Sequence, residues 1–307
     1  MPTRVLVTPR SLTRAGLLHV PALAPLHAAG IELVAGPAGR QPTHDELLSL
    51  VPGCTGWIAG VEPVDSEVLA GAKDLRVISR WGAGTDAIDL VAAQRHGIIV
   101  ERAAGANARG VAELTVAHVL AGLRGVTPAS RALVAGRWER PEGRELAECT
   151  VGVVGLGAVG RLVAHLLAAL GARVVGHDPY VDAVPGVALL PLPALLGVSD
   201  VVTLHCPPGD RALLGAGELA ALPTGAVLVN TARSSLVDDD AVLAALESGR
   251  LAAYAVDAFD REPPEVTPLL RHPRVLATPH LGAHTSASTQ RVGEVAVANL
   301  LRHLGAS

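Results

Sequence analysis

Several things are scarce in this chain of 307 residues, and each scarcity closes off a class of protein. Cysteine occurs only as Cys54, Cys149 and Cys206. That odd number, without metal-ligand spacing, argues against a disulfide framework and a zinc site and suits reduced thiols in a cytoplasmic setting. Cys54 and Cys149 read as small apolar fillers. Basic clusters are also missing: the net charge is −4, and Lys and Arg form no patch that would attract nucleic acid or an anionic membrane. Long apolar runs are absent too. No charge-free stretch approaches the ~18 residues of a membrane span, and the N-terminus passes directly into a strand-like Val5–Thr8 without the apolar core of a signal peptide. Neither a nucleic acid nor a membrane is expected as a partner, and no metal site is expected.

What is present is a large potential core. Half of the residues are hydrophobic, and the length suits two domains. Strand-like runs at 5–8, 31–35, 56–59, 77–79 and 98–100 alternate with helix-like segments, two of which open on the caps Thr43 and Asp65. After residue 150 the rhythm resumes, with strands expected at 151–154, 173–177, 200–204, 226–230, 252–256 and 274–277. Such alternation implies parallel sheets covered on both faces. The fold class is therefore α/β, with two Rossmann- or flavodoxin-like lobes and the active site expected in the interdomain cleft. A helix over 107–123 connects the lobes, and one from Ser286 to Leu304 could return to the first. The expected division is a discontinuous substrate-binding domain, 1–101 plus 286–307, and a cofactor-binding domain, 102–285. Residues 185–193, rich in proline, read as a loop.

The strongest local signal is Val151–Val154 running into Gly155-Leu156-Gly157-Ala158-Val159-Gly160, then a helical stretch, then a strand ending at Asp178. The first glycine permits the tight turn, the second admits a pyrophosphate, and the third lets the helix pack against its strand. The phosphates would sit at the positive helix N-terminus. Asp178 stands where a carboxylate reaches the adenosine ribose hydroxyls and repels a 2′-phosphate, so NAD is preferred over NADP.

Beyond the later strands lie Arg233, Glu262 and His280. A guanidinium can grip a carboxylate bidentately, an imidazole can pass a proton near neutral pH, and a carboxylate can orient that imidazole. These parts suit a hydroxy-acid dehydrogenase, in which a nicotinamide carries the hydride and the protein manages one proton. Taken alone, each has a plainer reading: His280 as a core histidine, Glu262 as a solvated turn residue, Arg233 as a strand-end cap. Asp238 reads as a helix cap, His177 as pointing to solvent or the adenine edge, and His205 as structural.

Over essentially its whole length the chain resembles the D-isomer-specific 2-hydroxyacid dehydrogenases, in the D-3-phosphoglycerate dehydrogenase-like branch. The matching stretches are Arg80–Asp86, Asn107 with Val111–Glu113, Thr150–Gly160, His205–Pro207, Asn230–Asp238, Asp257–Pro264 and Thr278–Thr285. The resemblance implies catalysis by Arg233, Glu262 and His280. It implies NAD contacts from Gly155, Gly157, Ala158, Val159, Gly160, Asp178, His205, Cys206, Pro207, Thr231, Ala232, Asp257, Gly282 and Ala283. It places the substrate carboxylate near Arg80, Ala83, Gly84 and Arg233, with Asp257 beside the nicotinamide or else holding a loop. A homodimer through the cofactor lobes is implied as well.

Departures bear on the substrate. Phosphoglycerate users in the family commonly carry an Arg-Ser pair where this chain has Ala59-Gly60-Val61-Glu62, so one expected cation is missing, although Arg80 and Arg109 could partly replace it. Trp81 and Ala87 also replace the family's usual residues. The C-terminal regulatory domain of some relatives is expected to be absent, and serine feedback with it. The activity expected is NAD-dependent interconversion of a small D-2-hydroxy acid, of the phosphoglycerate or glycerate/glyoxylate type, with its 2-keto acid. Two alternatives stay open: an NAD(H)-sensing co-repressor-like binding module, and a formate- or phosphite-type dehydrogenase.

Overall fold

The structure, a computed structural model, describes residues 3–14 and 16–305, and the chain divides into two compact units. One comprises the residues up to Asn107 together with those from Ser286 onward, and the other is Ala108–Thr285.

The first unit contains β1 (Arg4–Val7), β2 (Glu32–Ala35), β3 (Gly56–Ala59), β4 (Val77–Arg80) and β5 (Ile99–Arg102). All pair in parallel in the order β2-β1-β3-β4-β5, the flavodoxin-like winding. Val5, Leu6 and Val7 are all fully buried, as befits a central strand with helices on both faces. Local chemistry sets the helix starts. Thr43 and Glu46 form a reciprocal capping box at helix His44–Leu50, and the Asp65 carboxylate accepts from Glu67 N and Val68 N at 3.0 Å. Each such cap is worth about 1 kcal/mol. Helix Ser286–Leu304 lies on this sheet, where Val297 and Leu300 join Val5, Val7, Ile58 and Val77 in one apolar cluster. The unit continues to Asn107, past the expected boundary at residue 101, because Ala103 and Ala106 pack with Val292 and Trp81.

The second unit contains β6 (Thr150–Val154), β7 (Arg173–His177), β8 (Ala188–Leu189), β9 (Val201–Leu204), β10 (Ala226–Asn230), β11 (Leu251–Val256) and β12 (Val275–Ala277). Their order is β12-β11-β10-β9-β6-β7-β8, all parallel, which is the Rossmann winding with one further strand at its edge. The strand absent from the sequence reading is β8. It pairs with β7 through Ala188 and Leu189 inside the proline-rich stretch read as a loop, and helix Leu192–Val198 begins there as well. A strand of two residues between prolines has no periodicity of its own, so only its pairing with β7 defines it. The winding reverses between β6 and β9, and the turns leaving those strands flank the point where open α/β sheets bind ligands. Among the described residues, no helix is long and apolar enough to cross a membrane.

Candidate active site

The glycine turn after β6 is built for close approach. Gly155 has φ +90°, and a Cβ there would fall 2.5 Å from Cys206 N. A Cβ on Gly160 would fall 1.9 Å from Gly155 O, so this glycine alone lets helix Ala158–Ala169 sit against its strand. Gly157 is the N-cap, with open space where a Cβ would be, and the helix has neither a side-chain cap nor an acid in its first turn. Its first-turn amides, on Ala158, Val159 and Gly160, are left to an anionic ligand.

Asp178 follows β7, and its carboxylate is aimed by two backbone amides, Leu156 N at 2.8 Å and Tyr180 N at 2.9 Å. Around these groups opens a cleft of about 890 Å³ that Gly155, Gly157, Asp178, His205, Cys206 and Pro207 line together. Burial pushes the His205 pKa down to about 3, so this imidazole is neutral, and its Nε2 lies 2.9 Å from Thr203 Oγ1. Burial also pushes the Cys206 thiol up, keeping it uncharged. An uncapped helix start, an oriented acid and the uncharged His205 and Cys206 beside them fit a dinucleotide bound across the switch point. His177 also borders the cleft, with Nδ1 2.9 Å from Leu190 O, so one ring nitrogen is tied to backbone rather than open to solvent. Leu192, Leu213 and Leu236 complete the apolar wall. Sequence reasoning missed them because they come from separate segments that only the fold assembles.

The neighbouring strands β10, β11 and β12 supply the charged group. Their register aligns Asn230, Val256 and Ala277, so the turns that follow lie side by side. Arg233 comes three residues after Asn230 and His280 three after Ala277, with their strands about 10 Å apart across β11. Asn230, fully buried, ties the first turn: its Nδ2 donates to Arg233 O at 2.7 Å and its Oδ1 accepts from Ala232 N at 3.1 Å. Arg233 Nη1 donates to Ala232 O at 2.7 Å. The Thr231 hydroxyl lies 2.8 Å from Thr115 Oγ1, which itself donates to Val111 O, so Thr231 is the donor of this pair.

His280 takes the left-handed conformation, φ 52°, which a side chain seldom adopts without support. The support comes from Asp257, 1 % exposed. Its backbone carbonyl accepts from His280 N at 2.8 Å, while its carboxylate accepts from Leu281 N at 2.7 Å, Gly282 N at 2.8 Å and Thr278 Oγ1 at 2.6 Å. Asp257 is thus the clamp of the His280 turn. Ala283 closes the same turn, its carbonyl accepting from Thr285 N at 3.0 Å. The side chains of His280 and Glu262 stay open, 45 % and 41 % exposed, and meet at 2.6 Å between Nδ1 and Oε1. An ionised carboxylate only accepts, so Nδ1 carries the hydrogen and Nε2 is the nitrogen free to exchange a proton. Phe259 N donates to the same Oε1 at 3.3 Å and steadies it.

In the first unit, Arg80 ends β4 and its guanidinium donates to Trp81 O; Ala83 and Gly84 occupy the half-buried turn that follows. Glu62, buried, accepts from Gly60 N at 2.8 Å and from the Thr8 hydroxyl, itself bonded by Trp57 Nε1 at 2.9 Å. In the second unit, Arg109 pairs with Glu113 at 2.6 Å on an exposed helix face. Asp238 caps helix Asp239–Glu247, accepting from Ala241 N at 2.9 Å. Cys54 and Cys149 are buried and free. Among the described residues no group of three or more His, Cys, Asp or Glu could hold a metal ion.

Comparison with known proteins matches residues 116–282 to the family described as D-isomer specific 2-hydroxyacid dehydrogenase, NAD binding domain. The chain is 38 % identical over 261 residues to D-3-phosphoglycerate dehydrogenase of Sus scrofa, covering 82 % of this chain and 49 % of that protein. It spans about half the length of the curated relatives it matches. Among solved structures, the TT0316 protein from Thermus thermophilus is similar at 36 % identity and TM-score 0.88, over 99 % of this chain and 97 % of that one. A glyoxylate reductase from Paecilomyes thermophila is similar at 28 % identity and TM-score 0.85, over 98 % and 94 %.

Proposed function

The chain belongs to the D-isomer specific 2-hydroxyacid dehydrogenase family, and from that premise we propose that it is an NAD-dependent oxidoreductase interconverting a D-2-hydroxy acid and its 2-keto acid. The observation that carries this reading is the 2.6 Å contact of His280 Nδ1 with Glu262, held at sheet ends beside the turn that bears Arg233. Bound in the cleft of the second unit, NAD(H) supplies or accepts the hydride.

The protein's own groups do the rest. Arg233 grips the substrate carboxylate and fixes its orientation. In reduction, His280 Nε2 donates a proton to the oxygen of the keto group; in oxidation the same nitrogen takes it from the hydroxyl. Glu262 holds Nδ1–H, so proton exchange is confined to Nε2. Asp178 selects NAD over NADP by repelling a 2′-phosphate. The first unit carries its own candidate substrate contacts, the backbone at Ala83 and Gly84 and the Arg80 guanidinium. Its loop after β3 carries the buried Glu62 instead of a cation, and Arg109 is occupied by Glu113, which favours a small unphosphorylated keto acid such as glyoxylate or hydroxypyruvate over 3-phosphohydroxypyruvate.

Assembly as a homodimer is supported by the exposed apolar face of Val126, Leu133 and Val134, with Trp138 beyond it. Free cysteines without disulfides suit a cytoplasmic enzyme. The test is NADH oxidation with glyoxylate, hydroxypyruvate, pyruvate and 3-phosphohydroxypyruvate, with formate and phosphite tried against NAD+. Turnover of the unphosphorylated keto acids, with NADPH a poor substitute, is expected. Turnover of none of the keto acids would overturn the reading, and sedimentation as a monomer would overturn the dimer.

A further inference from the structure

A buried histidine behind the reactive turns has no part in the proposed reaction. His118, on helix Ala108–Leu123, is 2 % exposed and belongs to the helix's buried face with Ala112, Thr115 and Val119. Burial pushes its pKa down, against the pull of the Asp257 charge, so the ring is neutral. A leucine would fill such a position without desolvating an imidazole, and Nδ1 is sealed there with no partner among the described residues. What the histidine has and a leucine lacks is Nε2, 3.4 Å from the Thr278 hydroxyl.

Counting hydrogens fixes the direction of that contact. Thr278 has one hydroxyl hydrogen. Its close partner is Asp257 Oδ1 at 2.6 Å, an oxygen that also accepts from Leu281 N, whereas Val256 O is 3.4 Å away. The hydroxyl therefore donates to Asp257, and a lone pair of its oxygen is left for His118, which carries its hydrogen on Nε2. Donation runs one way, from His118 through Thr278 to the carboxylate that clamps the His280 turn. The same helix reaches the Arg233 turn. Thr115, three residues before His118 and so on the same face, accepts from the Thr231 hydroxyl. Val111, a turn further back, packs on Gly282, where an added Cβ would fall 3.1 Å from Val111 Cγ2.

We propose that His118 is a positioning residue: from a helix that also holds the Arg233 turn, it fixes the Thr278 hydroxyl on Asp257 and thereby the turn that presents His280. It touches no substrate, and acts through Thr278 and Asp257. Its effect on turnover rests on the reductase reading; its effect on the turn does not.

The experiment compares His118→Leu, His118→Gln and His118→Asn in the full chain by keto-acid turnover, urea midpoint and amide hydrogen exchange. Leucine fills the space and removes the donor; a glutamine amide reaches the place of Nε2, and an asparagine amide stops near that of Nδ1. For His118→Leu, kcat should fall about five- to tenfold, with KM for the keto acid unchanged within about twofold. Its urea midpoint should not fall, because the sealed Nδ1 goes with the ring. His118→Gln should recover kcat to within about twofold of the parent, and His118→Asn should not. Exchange at the Leu281 and Gly282 amides should quicken about tenfold in His118→Leu and slow again in His118→Gln, an effect that needs no turnover. Thr278→Val should lower kcat as His118→Leu does, and combining the two should lower it no further. The proposal is overturned by unchanged exchange in His118→Leu, by unchanged kcat in that variant of an active parent, or by a glutamine variant no better than the leucine one. Multiplying effects in the double variant, or a urea midpoint that falls in step with kcat, overturns it as well. A parent without turnover whose exchange responds as expected sinks the reductase reading and leaves this one standing.

Discussion

Two histidines leave parallel strands of the same sheet, and the protein makes them into different reagents. His205, after β9, is walled into the dinucleotide-sized cleft, its pKa driven down to about 3, with one nitrogen at Thr203. His280, after β12, is nearly half exposed, held in a left-handed turn and backed by a carboxylate. The residue type is the same; what differs is solvation and partner. Burial disfavours the charged imidazole, whereas an adjacent carboxylate fixes which ring nitrogen carries the hydrogen. A second contrast supports His280. Asp257 is buried and directs its carboxylate to amides and a hydroxyl, shaping the turn, while Glu262 is open and directs its own to the imidazole. One acid builds the seat and the other tunes the occupant.

The largest expected effect comes from removing the open histidine. His280→Ala should lower kcat for keto-acid reduction by ~10²–10⁴-fold, the usual worth of a positioned general acid, with NADH binding by fluorescence titration unchanged. Retained activity would erase the contrast with His205. Next comes Glu262→Gln, which keeps the shape but can present an NH₂ to Nδ1 and so disturb the tautomer. A loss of about 10²-fold in kcat is expected, with stability unchanged within ~0.5 kcal/mol because the pair is exposed. Asp257→Asn should behave in the opposite way. One amide or hydroxyl of the turn would face an NH₂ instead of an oxygen, costing about 2 kcal/mol in a urea midpoint, with kcat falling as a consequence. If Asp257→Asn leaves stability intact while Glu262→Gln destabilises, the division of labour between the two acids is wrong.

Much of this was legible in the sequence where the cause is local. The glycine turn announced itself because Gly155 and Gly160 have no alternative: a Cβ at either would strike backbone. The caps at Thr43, Asp65 and Asp238 are short-range bonds between residues two or three apart. What stayed hidden was made by tertiary contact. The β8 strand exists only because β7 lies beside it. The clamp of Asp257 on Leu281 and Gly282 joins residues about two dozen apart, and nothing in the Asp257 neighbourhood distinguishes a clamp from a ligand contact.

The smallest effect is the most direct measure of how differently the two histidines are solvated. In the unfolded chain His205 titrates near the ordinary value of about 6.5; folded, it titrates near 3. The folded pKa is the lower, so protons favour the unfolded chain. The stability that the neutral ring contributes is complete above about pH 6.5 and is lost as pH falls from there towards 3. Each pH unit inside that window removes at most about 1.4 kcal/mol, one proton's worth. Replacing the ring by His205→Asn removes this proton sink, so the urea midpoint of the variant should fall less steeply than the parent's between pH 6.5 and 4. Parallel curves for the parent and His205→Asn would mean that the wall around His205 admits water, and the contrast with the open ring of His280 would be lost.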